Sequence, residues 1–344
     1  MTCRIIAEAG VNHNGSEDTA MQLIDAAFEA GADIVKFQTF KADELVQKGT
    51  KKAFYQQERT GLGDQFNMLK DLELPIEAFK RLSLYCKEVG VEFMSTGFSI
   101  NIIDELCNLG MNQIKVPSGE LTNKPYIEHI ASKNMAIILS TGMATMEEVA
   151  DAVSWIRSIR KKKGFETPLS DMLTLLQCSS IYPAPLESVN LRAMEAMADE
   201  FGVPVGYSDH TSGIFVPSLA VAMGAVVVEK HFTLDHRLPG PDHQASIEPG
   251  EFKKMVKNIR DVEMILGNGI KAPNKIESDV KKLVRRGLVL NRAIESGEVI
   301  ASEDITLLRP EGTITPKDVH EVVGKKAFRF LQKGKTLNWE DLEL

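Results

Sequence analysis

Short apolar runs rich in β-branched residues recur along the chain, and between them lie stretches whose apolar residues return every three or four positions. The runs at 4–8, 33–36, 91–95, 113–116, 136–140, 173–177, 203–207 and 225–229 read as strands buried on both faces, the kind found in parallel sheets. The intervening segments read as amphipathic helices. In the first, Ser16 is a suitable N-cap, Ala20, Leu23, Ile24, Ala27 and Phe28 share one face, and Gly31 supplies a stop. Eight strands alternating with helices over about 265 residues predict an α/β fold, a (β/α)8 TIM barrel. An open doubly wound sheet fits less well, because no strand leads into a Gly-x-Gly-x-x-Gly turn.

Beyond residue 282 the pattern changes to short strand-like pieces broken by turns. A barrel domain at 1–270, a polar proline-containing linker at 271–284 and a small domain at 285–344 are therefore expected. The longest excursion within the barrel lies between Gln38 and Leu74. It is too long for an ordinary strand-to-helix connection and is expected to cover the barrel mouth.

With a formal charge of −8 and no block of like charge, the chain is poorly suited to general nucleic-acid or anionic-membrane binding. Any anion site must be built locally. The first residues lack a basic segment followed by an apolar one, and the most apolar stretch, 213–228, contains Pro217 and Gly224 and falls short of the roughly 20 residues that span a bilayer. Cys3, Cys86, Cys107 and Cys178 form no Cys-x-x-Cys pair, so a reducing, cytoplasmic setting is expected.

In a (β/α)8 barrel the chemistry sits at the C-terminal ends of the strands. Those ends carry Glu8; Lys36 and Gln38; Ser95 and Thr96; Lys115, Ser118 and Glu120; Ser140 and Thr141; Ser179 and Ser180; Ser208, Asp209 and His210; and Glu229, Lys230 and His231. One polar strand end is what any strand shows on reaching the surface. Two lysines, two histidines and several carboxylates on a single rim are a denser set. His210 and His231, at adjacent strand ends, suit either a divalent metal or a hydrogen-bonded acid–base pair. Lys36 and Lys115, with the hydroxyls of Thr96, Ser118 and Ser208, suit a phosphate cradle, while a barrel-strand lysine equally suits a Schiff-base aldolase.

Seven motifs, in order, carry a resemblance: IIAEAGVNHNGS, ADIVKFQTFKADELV, IKVPSGELTN, IILSTGMATMEEV, IYPAPLESVNLRAM, VGYSDHTSG and EKHFTLDHRLPGPDHQASIEP. The chain resembles the bacterial sialic acid synthase family, and its tail, with LLRPEGTI, resembles the antifreeze-like or SAF domain of that family. The resemblance implies condensation of phosphoenolpyruvate with an open-chain N-acylated hexosamine and release of phosphate. It implies a divalent ion, Mn2+ or Mg2+, on His210 and His231, and phosphoenolpyruvate on Lys36, Thr96, Lys115, Ser118, Ser180 and Ser208. Ser180 stands where some members have Asn. Glu8, Gln38, Tyr182, Glu229 and Asp242 would face the sugar, and Glu8, Glu120 and Glu229 are the candidate catalytic carboxylates, with Glu120 or Glu229 activating water.

The resemblance further implies a domain-swapped homodimer in which Arg309 reaches the sugar from the partner subunit. The resemblance also implies, through the run PGPDH at 239–243, which the pseudaminic-acid-forming members lack, that the product is N-acetylneuraminate or N,N'-diacetyllegionaminate. The apolar character of Ala53, Phe54, Tyr55 and Gln56, the expected lid wall, favours the 6-deoxy, 2,4-diacetamido sugar. A non-enzymatic carbohydrate- or ice-binding protein is disfavoured, because the tail is rich in Lys, Arg and Glu and lacks a flat apolar-threonine face.

Overall fold

The computed structural model describes residues 2–343, with the side chain of Tyr55 outside the described set. The chain divides into two compact units, Met1–Gly267 and Asn268–Leu344. In the first, helices separate eight strands: β1 Arg4–Gly10, β2 Ile34–Thr39, β3 Glu92–Gly97, β4 Gln113–Val116, β5 Ala136–Ser140, β6 Leu173–Cys178, β7 Val205–Asp209 and β8 Val227–His231. They pair in the order β3-β2-β1-β8-β7-β6-β5-β4, every ladder parallel. At the seam β3 lies against β4, so the sheet curls into a nearly closed barrel, as the alternation predicted.

Ile6, Ile34, Met94, Ile138, Leu176 and Val227 fill the barrel interior. Their neighbours in sequence, such as Ile5, Val35, Leu139, Leu175 and Val228, face out into the layer of helices. Burial on both faces is why these strands read as unbroken apolar runs. The expected helix signals also hold: Ser16 Oγ accepts from the Thr19 amide at 3.2 Å, and Gly31 ends that helix at φ +89°. In β7, Gly206 is required by close approach, because a Cβ there would lie 2.3 Å from the carbonyl oxygen of Val227.

Several strands sit up to two residues further along than their apolar runs suggested. β7 and β8, expected at 203–207 and 225–229, extend through Asp209 and His231, with Ser208 opposite Glu229 and Asp209 opposite Lys230. Polar side chains do not stop a ladder when each finds a partner, since pairing belongs to the backbone.

The excursion after β2 is not an irregular loop. It holds the helices Ala42–Leu45, Phe54–Thr60 and Gln65–Leu72. In the second unit, β9 Gly287–Leu290 and β10 Ile305–Leu308 pair antiparallel, beside a core that includes Leu288, Leu290, Ile294, Ile300, Leu331 and Leu337. The stretch expected as a linker carries the helix Lys275–Val284, started by a reciprocal Asn274–Glu277 cap, with Ile276, Val280 and Leu283 exposed at helical spacing. Among the described residues no helix is long and apolar enough to cross a membrane.

Candidate active site

A cavity of about 370 Å³ opens at the C-terminal end of the barrel. Glu8, Lys36, Gln38, Thr96, Lys115, Ser118, Ser180, Tyr182, Ser208, His210, Glu229, His231 and Asp242 all line it. Three expected residues stand apart. Glu120 does not line the cavity; it sits on a turn after β4, where Asn123 Nδ2 donates to its Oε2 at 2.6 Å. Arg309 belongs to the second unit, where it is exposed just past β10. The side chain of Tyr55 lies outside the described residues, and of its neighbours Ala53, Phe54 and Gln56 only Gln56 reaches the cavity.

Strand alternation explains which polar residues enter. Ser208 and His210 face the cavity while Asp209 between them does not; Glu229 and His231 face it while Lys230 does not. Asp209 and Lys230, both with fully buried side chains, meet each other instead. Lys230 Nζ donates to Asp209 Oδ2 at 2.6 Å and to the Thr211 carbonyl at 2.5 Å, and the Thr211 amide and hydroxyl donate to Asp209 Oδ1 at 3.0 and 2.8 Å. This clasp ties the ends of β7 and β8 together.

At the cavity floor charges of both signs are buried and interleaved. Lys36 Nζ lies 2.6 Å from Glu8 Oε2 and 3.7 Å from Glu229 Oε2, and donates to Thr96 Oγ1 at 3.2 Å. Lys115 Nζ donates to Ser140 Oγ at 2.7 Å and lies 3.9 Å from Glu229 Oε1, which accepts from Ser208 Oγ at 3.0 Å. Burial raises the Glu8 carboxyl, against the pull of Lys36, and the charge of Glu229 adds to the rise. Burial pushes on Glu229 too, but Lys115 and Lys36 outweigh it and hold that carboxyl well below the usual range. Lys36 is raised: burial lowers it, and Glu229 and Glu8 more than compensate. Lys115 is lowered by burial, with Glu229 opposing and Lys36 reinforcing.

The two imidazoles lie 5.4 Å apart between ring centroids, and the Tyr182 ring lies tilted by 35° against His210 at 4.2 Å. Burial keeps both below their ordinary pKa, His231 well below, so both are neutral and can offer lone pairs. His210 Nδ1 engages the Ser179 carbonyl at 2.5 Å, which leaves Nε2 as the nitrogen able to bind a metal. His231 Nδ1 is buried without a partner. Among the described residues no group of three or more His, Cys, Asp or Glu side chains could hold a metal. Two neutral imidazoles, one with an orphaned nitrogen, fit an open divalent site completed by water or substrate.

Across the mouth, small polar groups crowd together. The Gly142 amide donates to Ser118 Oγ at 2.9 Å, and Ser118 Oγ lies 3.2 Å from Cys178 Sγ. A Cβ at residue 142 would stand 2.4 Å from Ser180 Oγ. Hydroxyls, a backbone amide and the nearby Lys115 are what a phosphate requires. On the sugar-facing side Gln38 Nε2 donates to Glu8 Oε1 at 2.9 Å. Burial lifts the Asp242 carboxyl to about 6, and the charge of Arg59 opposes the rise. The loop carrying Asp242 is anchored: Arg59 Nη1 donates to the Pro241 carbonyl at 2.8 Å, and His243 bridges Thr233 Oγ1 and Asn14 Oδ1 at 2.7 and 3.2 Å.

Residues 23–271 match the NeuB family and residues 285–343 match the SAF domain. The chain is 51% identical over 344 residues to the N,N'-diacetyllegionaminic acid synthase of Legionella pneumophila, covering 100% of this chain and 95% of that protein. The chain belongs to the NeuB family. The Campylobacter jejuni N,N'-diacetyllegionaminic acid synthase is 44% identical over 324 residues, 94% of this chain and 95% of that one. The crystal structure of the N-acetylneuraminic acid synthetase of Leptospira borgpetersenii superposes with a TM-score of 0.69 at 32% identity, covering 81% of this chain and 90% of that chain.

In this NeuB-family barrel, sequence reasoning missed the residues that shape the cavity without charge. Gly142, Cys178 and the apolar Val11, Met68, Leu69, Leu72 and Phe98 carried no catalytic signal. The three from Gln65–Leu72 share a helix face, which the sequence does display, but nothing in it says that the face turns towards a cavity.

Proposed function

We propose that this chain is a nonulosonic acid synthase that condenses phosphoenolpyruvate with an open-chain, 6-deoxy, 2,4-diacetamido hexose to give N,N'-diacetyllegionaminic acid and inorganic phosphate. The observation that carries this reading is the burial of Lys36 and Lys115 on either side of Glu229, in one cavity with two neutral imidazoles. The full-length identity to the two legionaminic acid synthases supports the choice of sugar.

Lys36, Thr96, Lys115, Ser118, Ser180 and Ser208 hold phosphoenolpyruvate, with the phosphate among the Ser118, Ser180 and Gly142 groups. Gln38, Tyr182 and Asp242 orient the sugar. His210 Nε2 and His231 Nδ1 would hold Mn2+ or Mg2+, which when bound supplies Lewis-acid character beside the aldehyde. Carbon 3 of phosphoenolpyruvate forms the new bond to sugar carbon 1, and Glu8, whose raised pKa lets it carry a proton, protonates the aldehyde oxygen. Water adds at carbon 2 and gives its proton to the ionised Glu229, and the resulting hemiketal phosphate breaks its carbon–oxygen bond to release phosphate. Glu120, outside the cavity, has no part in this scheme.

The same reading extends to a cytoplasmic, domain-swapped homodimer in which the partner subunit's Arg309 engages the sugar. Phosphoenolpyruvate labelled in the bridging oxygen tests the chemistry. With Mn2+ and the 6-deoxy, 2,4-diacetamido sugar the label leaves in phosphate, and a chelator stops the release. Label retained in the sugar acid, or a lysine imine trapped by borohydride, overturns the mechanism in favour of a Schiff-base route.

A further inference from the structure

One wall of the cavity is apolar. Met68, Leu69 and Leu72, from one face of the helix Gln65–Leu72, line it together with Val11 and Phe98. This wall is held by a small core of its own: Val11, Phe40 and Leu72 are buried together, and Leu45, Leu69 and Phe98 pack against them. The Phe40 and Phe98 rings meet edge to face at 6.1 Å, and Met68 Sδ accepts from Thr60 Oγ1 at 3.6 Å. Lys70 of the same helix turns elsewhere, pairing with Asp43 and Glu73. The residues of this helix that line the cavity are all apolar, and Gln56, which also lines it, accepts from the Ala53 amide through its Oε1 at 3.0 Å.

The wall adjoins β1, β2 and β3, whereas the phosphate-side groups Ser118, Gly142 and Ser180 follow β4, β5 and β6 on the other side of the barrel. With the phosphate among the latter and Lys36 and Thr96 holding the rest of phosphoenolpyruvate at the cavity floor, carbon 3 meets sugar carbon 1 there, and an extended open-chain sugar rising towards the mouth brings carbon 6 to the level of the wall. We infer that Met68, Leu69 and Leu72 determine sugar specificity by receiving the carbon-6 methyl of a 6-deoxy substrate. This inference rests on the reaction proposed above and adds the residues that read its substrate. A methyl there sheds water onto apolar surface, while a hydroxyl sheds its hydration and finds no partner on these three side chains. Apolar pockets reject an added hydroxyl only moderately, so the preference is about a hundredfold at most.

The test compares N-acetylmannosamine with its 6-deoxy form, which differ only at carbon 6, by kcat/KM for phosphate release with Mn2+. Wild type favours the 6-deoxy sugar by about 10- to 100-fold. Met68→Gln and the half-buried Leu69→Asn each reduce that ratio about tenfold through the sugar KM, leave the KM for phosphoenolpyruvate within about twofold, and keep the melting temperature; Leu69→Met preserves the ratio. A wild-type ratio near one, or a ratio unchanged in both folded polar variants, overturns the assignment while the condensation reading stands. No phosphate release with either of these sugars or with the 2,4-diacetamido one refutes the reaction and this inference together.

Discussion

Replacing Lys230 by Met isolates what the clasp behind the imidazoles contributes. The side chains of Lys230 and Asp209 are both fully buried, so the substitution strips Asp209 Oδ2 and the Thr211 carbonyl of their shared donor with no water to replace it. Removing one partner of a buried pair destabilises by about 3–5 kcal/mol, because the surviving charge keeps its desolvation penalty. At about 2–4 °C per kcal/mol for a domain of this size, the melting temperature should fall by roughly 6–20 °C. The double variant Asp209→Asn/Lys230→Met removes the charge while retaining an oxygen for the Thr211 amide and hydroxyl, so it should recover most of the loss.

The clasp also has a functional reading, since His210 follows Asp209 and His231 follows Lys230 directly. In Lys230→Met the affinity for Mn2+, measured by calorimetric titration below the melting temperature, should weaken by about 10- to 100-fold. A stability loss under about 1 kcal/mol, or a double variant no more stable than the single one, would refute the buried-charge reasoning.

Gly142→Ala places a methyl where Ser180 Oγ, Cys178 Sγ and Ser118 Oγ converge, 2.4 to 2.8 Å away, so these groups must shift. The KM for phosphoenolpyruvate should rise about tenfold or more, with about 1–3 kcal/mol of stability lost to overpacking; an unchanged KM measured by phosphate release removes this cluster from the phosphate site. In the second unit, Asp341 accepts from Arg329 Nη2 at 2.7 Å and from the Asn338 amide at 3.0 Å, and these contacts outweigh its burial and hold its carboxyl below the usual value. A carboxyl depressed in the folded state contributes stability that is present above its unfolded pKa of about 4 and lost as pH falls through the folded value. Amide protection factors at Phe328 and Leu342, which bond around this turn, corrected for the intrinsic exchange rate at each pH, should therefore fall below about pH 4 in the wild type, and Asp341→Asn should flatten that dependence; identical pH profiles would remove Asp341 as the cause.

The barrel, its strand count and most of its rim were legible in the residues themselves. A strand buried on both faces must be apolar throughout, and a helix laid over it must be apolar on one face, so β1 to β8 announce themselves locally. Once the strands are assigned, fold geometry brings their ends together, which is why Glu8, Lys36, Lys115, His210, Glu229 and His231 could be named from positions far apart in the chain. What tertiary structure alone decided is direction and neighbourhood. A one-residue change of parity sends Lys230 into a clasp with Asp209 while Glu229 and His231 enter the cavity, and the apolar run before them does not record that parity. Glu120 looked as well placed as Glu229, yet it accepts from Asn123 and does not line the cavity that Ser118 and Gly119 beside it do. Of the residues expected as the lid wall, Gln56 lines the cavity while Ala53 and Phe54 do not, and most of the apolar lining comes from Met68, Leu69 and Leu72 with Val11 and Phe98; the face of the helix Gln65–Leu72 has the same pattern as any core-facing helix. Periodicity reports that a face is buried; only packing in three dimensions says whether it is buried against protein or left to meet a substrate.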